Sequence, residues 1–315
     1  MRSSRRCEPA SNVAASSSRS SRSSWLDAPA PRFGVVIPQG WRGDLEHVEG
    51  GAAAQFEAMV AVAREAESLG FDSVWIYDHF QSGERTTFEA WTSLAAVARE
   101  TSHVRLGQLV TCSLYRNPAL IAKMASTLDA ASGGRCVLGL GAGWDDEEYA
   151  AYGYPDPFPP VGERLRMLGE AAAVVRALRD GGPATVEGAS HRVRGAHNVP
   201  GAHVPLLIGG NGERVLLRLV AEHADACNLT DSPDPAFYAR KLDALRRHCD
   251  DVGRDEAEIL KTATFTVTGD GPGLVDTLAA IVGAGIQYFI LYFERPAELE
   301  GMRRFAAGVM PLLRP

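Results

Sequence analysis

Asp78 and His79 are the residues of this chain whose types and placement speak most directly of chemistry. They close the stretch Ser73-Val74-Trp75-Ile76-Tyr77-Asp78-His79-Phe80, in which Val74 to Tyr77 reads as a short buried strand ending in an acid and an imidazole. An imidazole titrates near neutrality, so it gives or takes a proton at working pH, and an adjacent carboxylate orients it or bonds a ligand. The same pair is also the pattern of a loop cap beside a partly buried polar residue, so the surrounding elements decide. Upstream, Ala58 to Leu69 has helical apolar spacing and stops on Gly70, and downstream Thr86 to Glu100 is again helical. A strand between two helices belongs to a βαβ unit, whose parallel strands are covered on both faces and face the ligand with their carboxyl ends. Asp78 and His79 fall at that end.

The alternation begins at Arg32. Phe33 to Ile37 is a first strand, broken by Pro38-Gln39-Gly40-Trp41. After the unit above come Val104 to Thr111 (strand) with Pro118 to Ala130 (helix), then Cys136 to Leu140 with Glu163 to Arg179. Tyr149 to Pro160, rich in Tyr, Gly and Pro, is expected to be loop, and Gly181 to Pro205 an irregular excursion over one barrel end. The second half pairs Leu206 to Ile208 with Glu213 to His223, Ala226 to Leu229 with Pro235 to Val252, Ile259 to Val267 with Leu274 to Ala284, and Tyr288 to Phe293 with Ala297 to Leu313. Eight strand-then-helix units predict an α/β fold, the (β/α)8 TIM barrel, with an irregular insertion between strand 4 and strand 5. A doubly wound open sheet seldom needs eight regular repeats. In a barrel, chemistry sits where strands end: at Gln39, Asp78-His79, Thr111, Gly141 to Trp144, Gly209 to Gly212, Asn228 and Glu294.

Composition bounds the function. The 315 residues are 45% apolar, enough for a large core in one barrel over 31–315. Residues 1–30 are Ser- and Arg-rich, with Glu8 the one acid before Asp27, so a disordered solvated tail or an over-long start is expected. A net charge of −7 without a basic stripe argues against nucleic acid, and no apolar run approaches the roughly 18 residues of a bilayer span. Cys7, Cys112, Cys136, Cys227 and Cys249 form neither a disulfide framework nor a zinc signature, which points to reduced thiols in a cytoplasmic protein.

Two glycine motifs follow strands. In Gly139-Leu140-Gly141-Ala142-Gly143-Trp144 an indole takes the place of the third glycine of a dinucleotide fingerprint, so the motif is no Rossmann site, although its bare amides admit a flat ligand or a phosphate. Ile208-Gly209-Gly210-Asn211-Gly212-Glu213, with Arg214 beside it, opens a helix and is the best phosphate candidate; otherwise it is a tight turn. His191, His197 and His203 lack acidic partners and are expected to be exposed. Without HExxH, DxDxG or GxSxG patterns, neither a metal site nor a serine hydrolase is expected.

Four stretches in register, Trp75 to Phe80, Leu106 to Pro118 (LGQLVTCSLYRNP), Ser132 to Trp144 (SGGRCVLGLGAGW) and Ile208 to Glu213, resemble the bacterial-luciferase-like superfamily, particularly its branch using the 5-deazaflavin coenzyme F-420. The resemblance spans residues 32–315. It implies that His79 is catalytic, that Asp78 touches the deazaflavin ring, and that Thr111, Gly141, Ala142 and Gly143 contact the coenzyme. It implies too that Gly210, Asn211, Gly212 and Glu213 form the phosphate-contacting turn, and that Gln108-Leu109 carries a non-prolyl cis peptide behind the ring. The Gly181–Pro205 stretch resembles an insertion beside the site. The sugar-phosphate dehydrogenases of that branch carry a glutamate acid/base where this chain has Trp144, and an indole transfers no such proton. A flatter, more apolar substrate is therefore expected against Trp144 and Trp41, with Tyr77 and Tyr115 nearby.

The implied activity is hydride transfer between the deazaflavin and a small organic substrate, with His79 handling the proton. The nearest rival is an FMN-dependent monooxygenase of the same fold, and a rival of another class is a non-catalytic flavin-binding barrel. The implied partners are a small-molecule substrate, a separate reductase that regenerates the cofactor, and a second copy in a homodimer, with neither nucleic acid nor membrane.

Overall fold

The computed structural model describes residues 31–269 and 271–314; the expected disordered tail of residues 1–30 lies outside them. Eight parallel strands, β1 (Arg32–Val36), β2 (Ser73–Ile76), β3 (Arg105–Gln108), β5 (Cys136–Gly141), β8 (Leu206–Gly209), β9 (Ala226–Leu229), β10 (Leu260–Val267) and β11 (Tyr288–Phe293), run β3-β2-β1-β11-β10-β9-β8-β5 and close through a β3–β5 pairing. A short β4 (Thr111–Cys112) pairs with the end of β5, while β6 (Ala184–Glu187) and β7 (Arg192–Ala196) form a separate antiparallel hairpin. The expected TIM barrel is thus present.

Helices cover the outside: α1 (Gly51–Ser68), α2 (Ala90–Glu100), α3 (Pro118–Ser132), α4 (Asp146–Ala151), α5 (Val161–Leu178), α6 (Leu216–His223), α7 (Pro235–Val252), α8 (Pro272–Gly283), α9 (Glu300–Gly308) and α10 (Met310–Leu313). Their ends follow local chemistry. Asn117 accepts from Ala119 N ahead of Pro118, and Asp234 accepts from Ala236 N ahead of Pro235; both helices then stop on left-handed glycines, Gly133 and Gly253. Among the described residues no helix is long and apolar enough to cross a membrane.

Glycines make room for two of the side chains that fill the barrel's interior. Trp75 is fully buried, and a Cβ on Gly107 would stand 2.3 Å from its ring, on Gly34 2.7 Å from its indole nitrogen. Above it, Val110 occupies the space that a Cβ on Gly139, Gly141 or Gly209 would need. The barrel is therefore plugged below and open only toward the carboxyl ends of its strands.

Three details differ from expectation. The non-prolyl cis bond joins Leu109 to Val110, one residue later than the resemblance implies. The reason lies in the ladder: Leu109 N still donates to Ile76 O at 2.8 Å, so the strand breaks after it and resumes at β4. Tyr149 to Ala151 belong to α4 rather than to a loop, because Asp145 caps that helix by accepting from Glu148 N at 2.9 Å. The Gly181–Pro205 stretch holds the β6–β7 hairpin and packs on the flanks of α3 and α5, where Asn198 donates to Leu178 O and Glu170 accepts from Ser190 N. No residue of it lines the cavity described below. It leaves the end of α5 and enters the start of β8, which places it at the barrel end away from the site.

Candidate active site

A cavity of about 480 Å³ opens over the carboxyl ends of the strands. Its wall is bare backbone at Gly141, Gly143, Gly209 and Gly210, its base Leu109 and Val110, and its aromatic side Trp41, Tyr77, Tyr115, Trp144 and Tyr292. A polar side comes from β9 and β10, where Asn228 accepts from Thr262 Oγ1 and donates to Thr264 Oγ1, each at 2.9 Å. Adjacent strands bring these residues together with His79, which no sequence spacing records.

His79 is held on four sides. Gln39 Nε2 donates to its backbone carbonyl at 2.8 Å. The Trp41 indole stacks on its ring, with centroids 3.8 Å apart and planes 3° apart, and Trp144 meets it edge-on at 5.6 Å. Its Nδ1 is buried and faces Glu148 Oε2 at 3.3 Å and Asp145 Oδ2 at 3.9 Å.

Asp78 also borders the cavity, yet its carboxylate serves another partner. Arg116 grips it with two hydrogen bonds, 2.7 and 3.0 Å, and Cys112 N donates at 2.9 Å. Arg116 reaches on to Glu89, whose side chain caps α2 at Trp91 N and Thr92 N. Burial raises the Asp78 pKa against the pull of Arg116. The side chain that turns toward the imidazole is Glu148, not Asp78. Burial alone would lift Glu148, but the His79 imidazole beside it and hydrogen bonds from Tyr115, Phe80 N and Gln81 N outweigh it and hold the carboxyl below its usual range. Burial in the same cluster pushes the Cys112 thiol up to about 12, so it is no nucleophile at neutral pH.

Of the residues singled out from sequence, Trp41, Asp78, His79, Leu109, Gly141, Ala142, Gly143, Trp144 and Gly210 line the cavity. Gln108 and Thr111 do not: both are fully buried, and the alternation along β3 turns Leu109 inward in place of Gln108. Asn211, Gly212 and Glu213 also stand outside the wall. Asn211 accepts from Thr230 N, and Glu213 is taken by Lys241 at 2.7 Å and Arg240 at 3.1 Å. The helix there starts at Leu216 rather than Glu213, so its first amides lie beyond the expected anion turn.

Sequence reasoning missed Arg42, Val110, Asp145, Glu148, Asp231 and Thr266. For Glu148 a signal existed: Asp145-x-x-Glu148 is a helix-start spacing, and it marks α4. Among the described residues, His79, Asp145 and Glu148 also form a cluster with metal-ligand spacing, although both Glu148 oxygens already accept protein donors.

An eight-stranded parallel barrel with a ligand-sized cavity over its carboxyl end, lined by an imidazole and by backbone glycines, is an enzyme of the TIM-barrel class. More narrowly, the chain belongs to the luciferase-like monooxygenase family, whose model matches residues 32–271, and it is an oxidoreductase. An F420-dependent glucose-6-phosphate dehydrogenase of Kineococcus radiotolerans is 31% identical over 244 residues, 75% of this chain and 69% of its own length. A dehydrogenase of the same description from Gordonia bronchialis is 32% identical over 230 residues, 70% of this chain and 67% of its own. Among solved structures, an F420-dependent secondary alcohol dehydrogenase holding an F420-acetone adduct aligns with a TM-score of 0.78 at 20% identity, covering 91% of this chain and all of that one, which is a likeness of fold.

Proposed function

We propose that this protein is a coenzyme F-420 (deazaflavin)-dependent oxidoreductase that moves a hydride to or from a small, flat, uncharged organic substrate. The observation that carries the reading is one cavity lined both by backbone glycines and by a fixed imidazole. The residues fit a tricyclic ring: at about 480 Å³ the cavity lies in the usual range for bound organic ligands. Its glycines leave backbone amides at the surface, where a side chain would fill the space.

The bound coenzyme supplies the hydride chemistry. Gly141, Ala142, Gly143, Gly209 and Gly210 would hold a flat ring, Leu109 and Val110 would support it, and Asn228 would offer a polar edge. Trp41, Tyr77 and Trp144 exclude water and offer apolar faces to a substrate. His79 carries the proton through its cavity-side nitrogen.

The charges disfavour a phosphorylated sugar. Among the described residues of the wall Arg42 is the cation, lying over Tyr292, Trp41 and Tyr77 at 4.9 to 5.6 Å, while Asp78, Asp145 and Asp231 are acids. A phosphate monoester needs a denser positive cluster than that. The second reading is an FMN-dependent monooxygenase of the same fold, as the family description names monooxygenases.

The test is competitive loading. Purified protein is incubated with coenzyme F-420 and with FMN, separated from free cofactor, and its spectrum recorded. Retention of the deazaflavin's single long-wavelength band supports the proposal; retention of FMN alone, with its two bands, sinks it.

A further inference from the structure

Glu148 has no role in the binding or proton steps above, yet it is 1% exposed and turned toward the imidazole. Its Oε1 accepts Phe80 N at 2.6 Å and Gln81 N at 3.1 Å. Its Oε2 accepts the Tyr115 hydroxyl at 2.6 Å and lies 3.3 Å from His79 Nδ1. All the other partners are donors, which suits an ionised carboxylate. Such a group accepts hydrogen bonds and donates none, so the nitrogen facing it must carry its proton. In the neutral ring that leaves the lone pair on Nε2. The Trp41 stack fixes the plane of the ring, and the Gln39 hydrogen bond to the His79 carbonyl fixes the backbone that carries it.

We infer that Glu148 is the positioning residue of His79: it fixes the imidazole as the Nδ1–H tautomer, so that Nε2 is the atom that takes a proton from the cavity, and it balances the imidazolium that results. Asp145, at 3.9 Å from Nδ1, adds a second negative charge, while Asp78 is spent on Arg116. The inference rests on His79 as the proton carrier of the proposed reaction, but the tautomer itself exists without coenzyme.

Replacing Glu148 with Gln makes a sharp test. The N–H groups of Phe80 and Gln81 still need an acceptor, so the new amide oxygen must stay with them. The NH₂ then faces Tyr115 and His79. It can only donate, so Nδ1 must become the acceptor and the ring proton moves to Nε2, the wrong nitrogen for accepting a substrate proton. Shape and volume hardly change.

The experiment is ¹⁵N NMR of ring-labelled histidines in the free protein at a pH where His79 is neutral, its signals assigned by their loss in His79→Asn. The wild-type ring is expected to show a protonated Nδ1 and a bare Nε2, and Glu148→Gln the reverse, with turnover about a hundredfold or more below wild type at a similar KM. Tyr115→Phe keeps the carboxylate and is expected to keep the wild-type tautomer. A wild-type ring protonated at Nε2, or a folded Glu148→Gln protein with an unchanged tautomer, overturns the inference. Should the Gln variant not fold, the wild-type and Tyr115→Phe spectra decide it. Wild-type protein that shows the expected tautomer but binds no coenzyme F-420 contradicts the functional reading and leaves this one standing.

Discussion

The imidazole of His79 lies flat against the indole of Trp41, centroids 3.8 Å apart and planes 3° from parallel. One face of the ring is closed, its Nδ1 edge is turned to carboxylates, and Nε2 is left for the cavity. Trp41 comes from the loop after β1 and His79 from the end of β2, so the contact joins neighbouring strand ends, as a barrel mouth does.

Trp41→Ala should therefore loosen His79 without removing it. An aromatic contact of this kind is worth about 0.5–1.5 kcal/mol, so turnover should fall by a few-fold to about tenfold. Steady-state kinetics against His79→Ala check the order: the histidine variant must lose more.

Arg116 neutralises a fully buried carboxylate. Arg116→Met leaves Asp78 buried and unpaired, at a cost of about 3–5 kcal/mol, and Arg116→Lys cannot restore the two-pronged bond. Adding Asp78→Asn should recover much of the loss. Urea denaturation midpoints with unchanged slopes measure it; a loss below 1 kcal/mol would contradict the assignment.

Glu67 offers a pH test away from the site. Burial pulls its pKa up, but three backbone N–H groups, from Ser102, His103 and Val104, pull it further down, to below 4.5. A carboxyl with a lowered folded pKa stabilises the fold above its unfolded pKa and loses that contribution as the pH falls through the folded value. Glu67→Gln should destabilise by about 1–2 kcal/mol at pH 7, and the gap should close in acid, once the pH has fallen through the lowered folded value. Denaturation curves at both pH values check the sign.

Two glycines should respond oppositely. Gly107→Ala forces a methyl against the Trp75 ring and should destabilise by about 1–3 kcal/mol or more. Gly162→Ala, in the first turn of α5 with nothing within 4 Å of its Cβ position, should stabilise by up to about 1 kcal/mol. Thermal unfolding of the two variants separates them.

The strands were legible because each is a short apolar run ending in polar residues or glycine, and that pattern alone placed His79, Gly143 and Gly210 at the cavity. What was not legible depends on contacts between distant segments. Asp78 looks like the partner of His79 because it is adjacent in sequence, but Arg116 takes its carboxylate. The carboxylate that faces the ring, Glu148, arrives from α4, a helix hidden in a Tyr- and Pro-rich stretch. Glu213 resembles part of an anion turn in sequence, but Lys241 and Arg240 of α7 take its carboxylate.

His79 is the proposed proton carrier at a bound redox ring, and its removal gives the most direct test. With wild-type protein, coenzyme F-420 and a substrate that turns over, His79→Ala should still bind the coenzyme with near wild-type affinity while turnover falls about a hundredfold or more. Turnover equal to wild type with the coenzyme bound would contradict it.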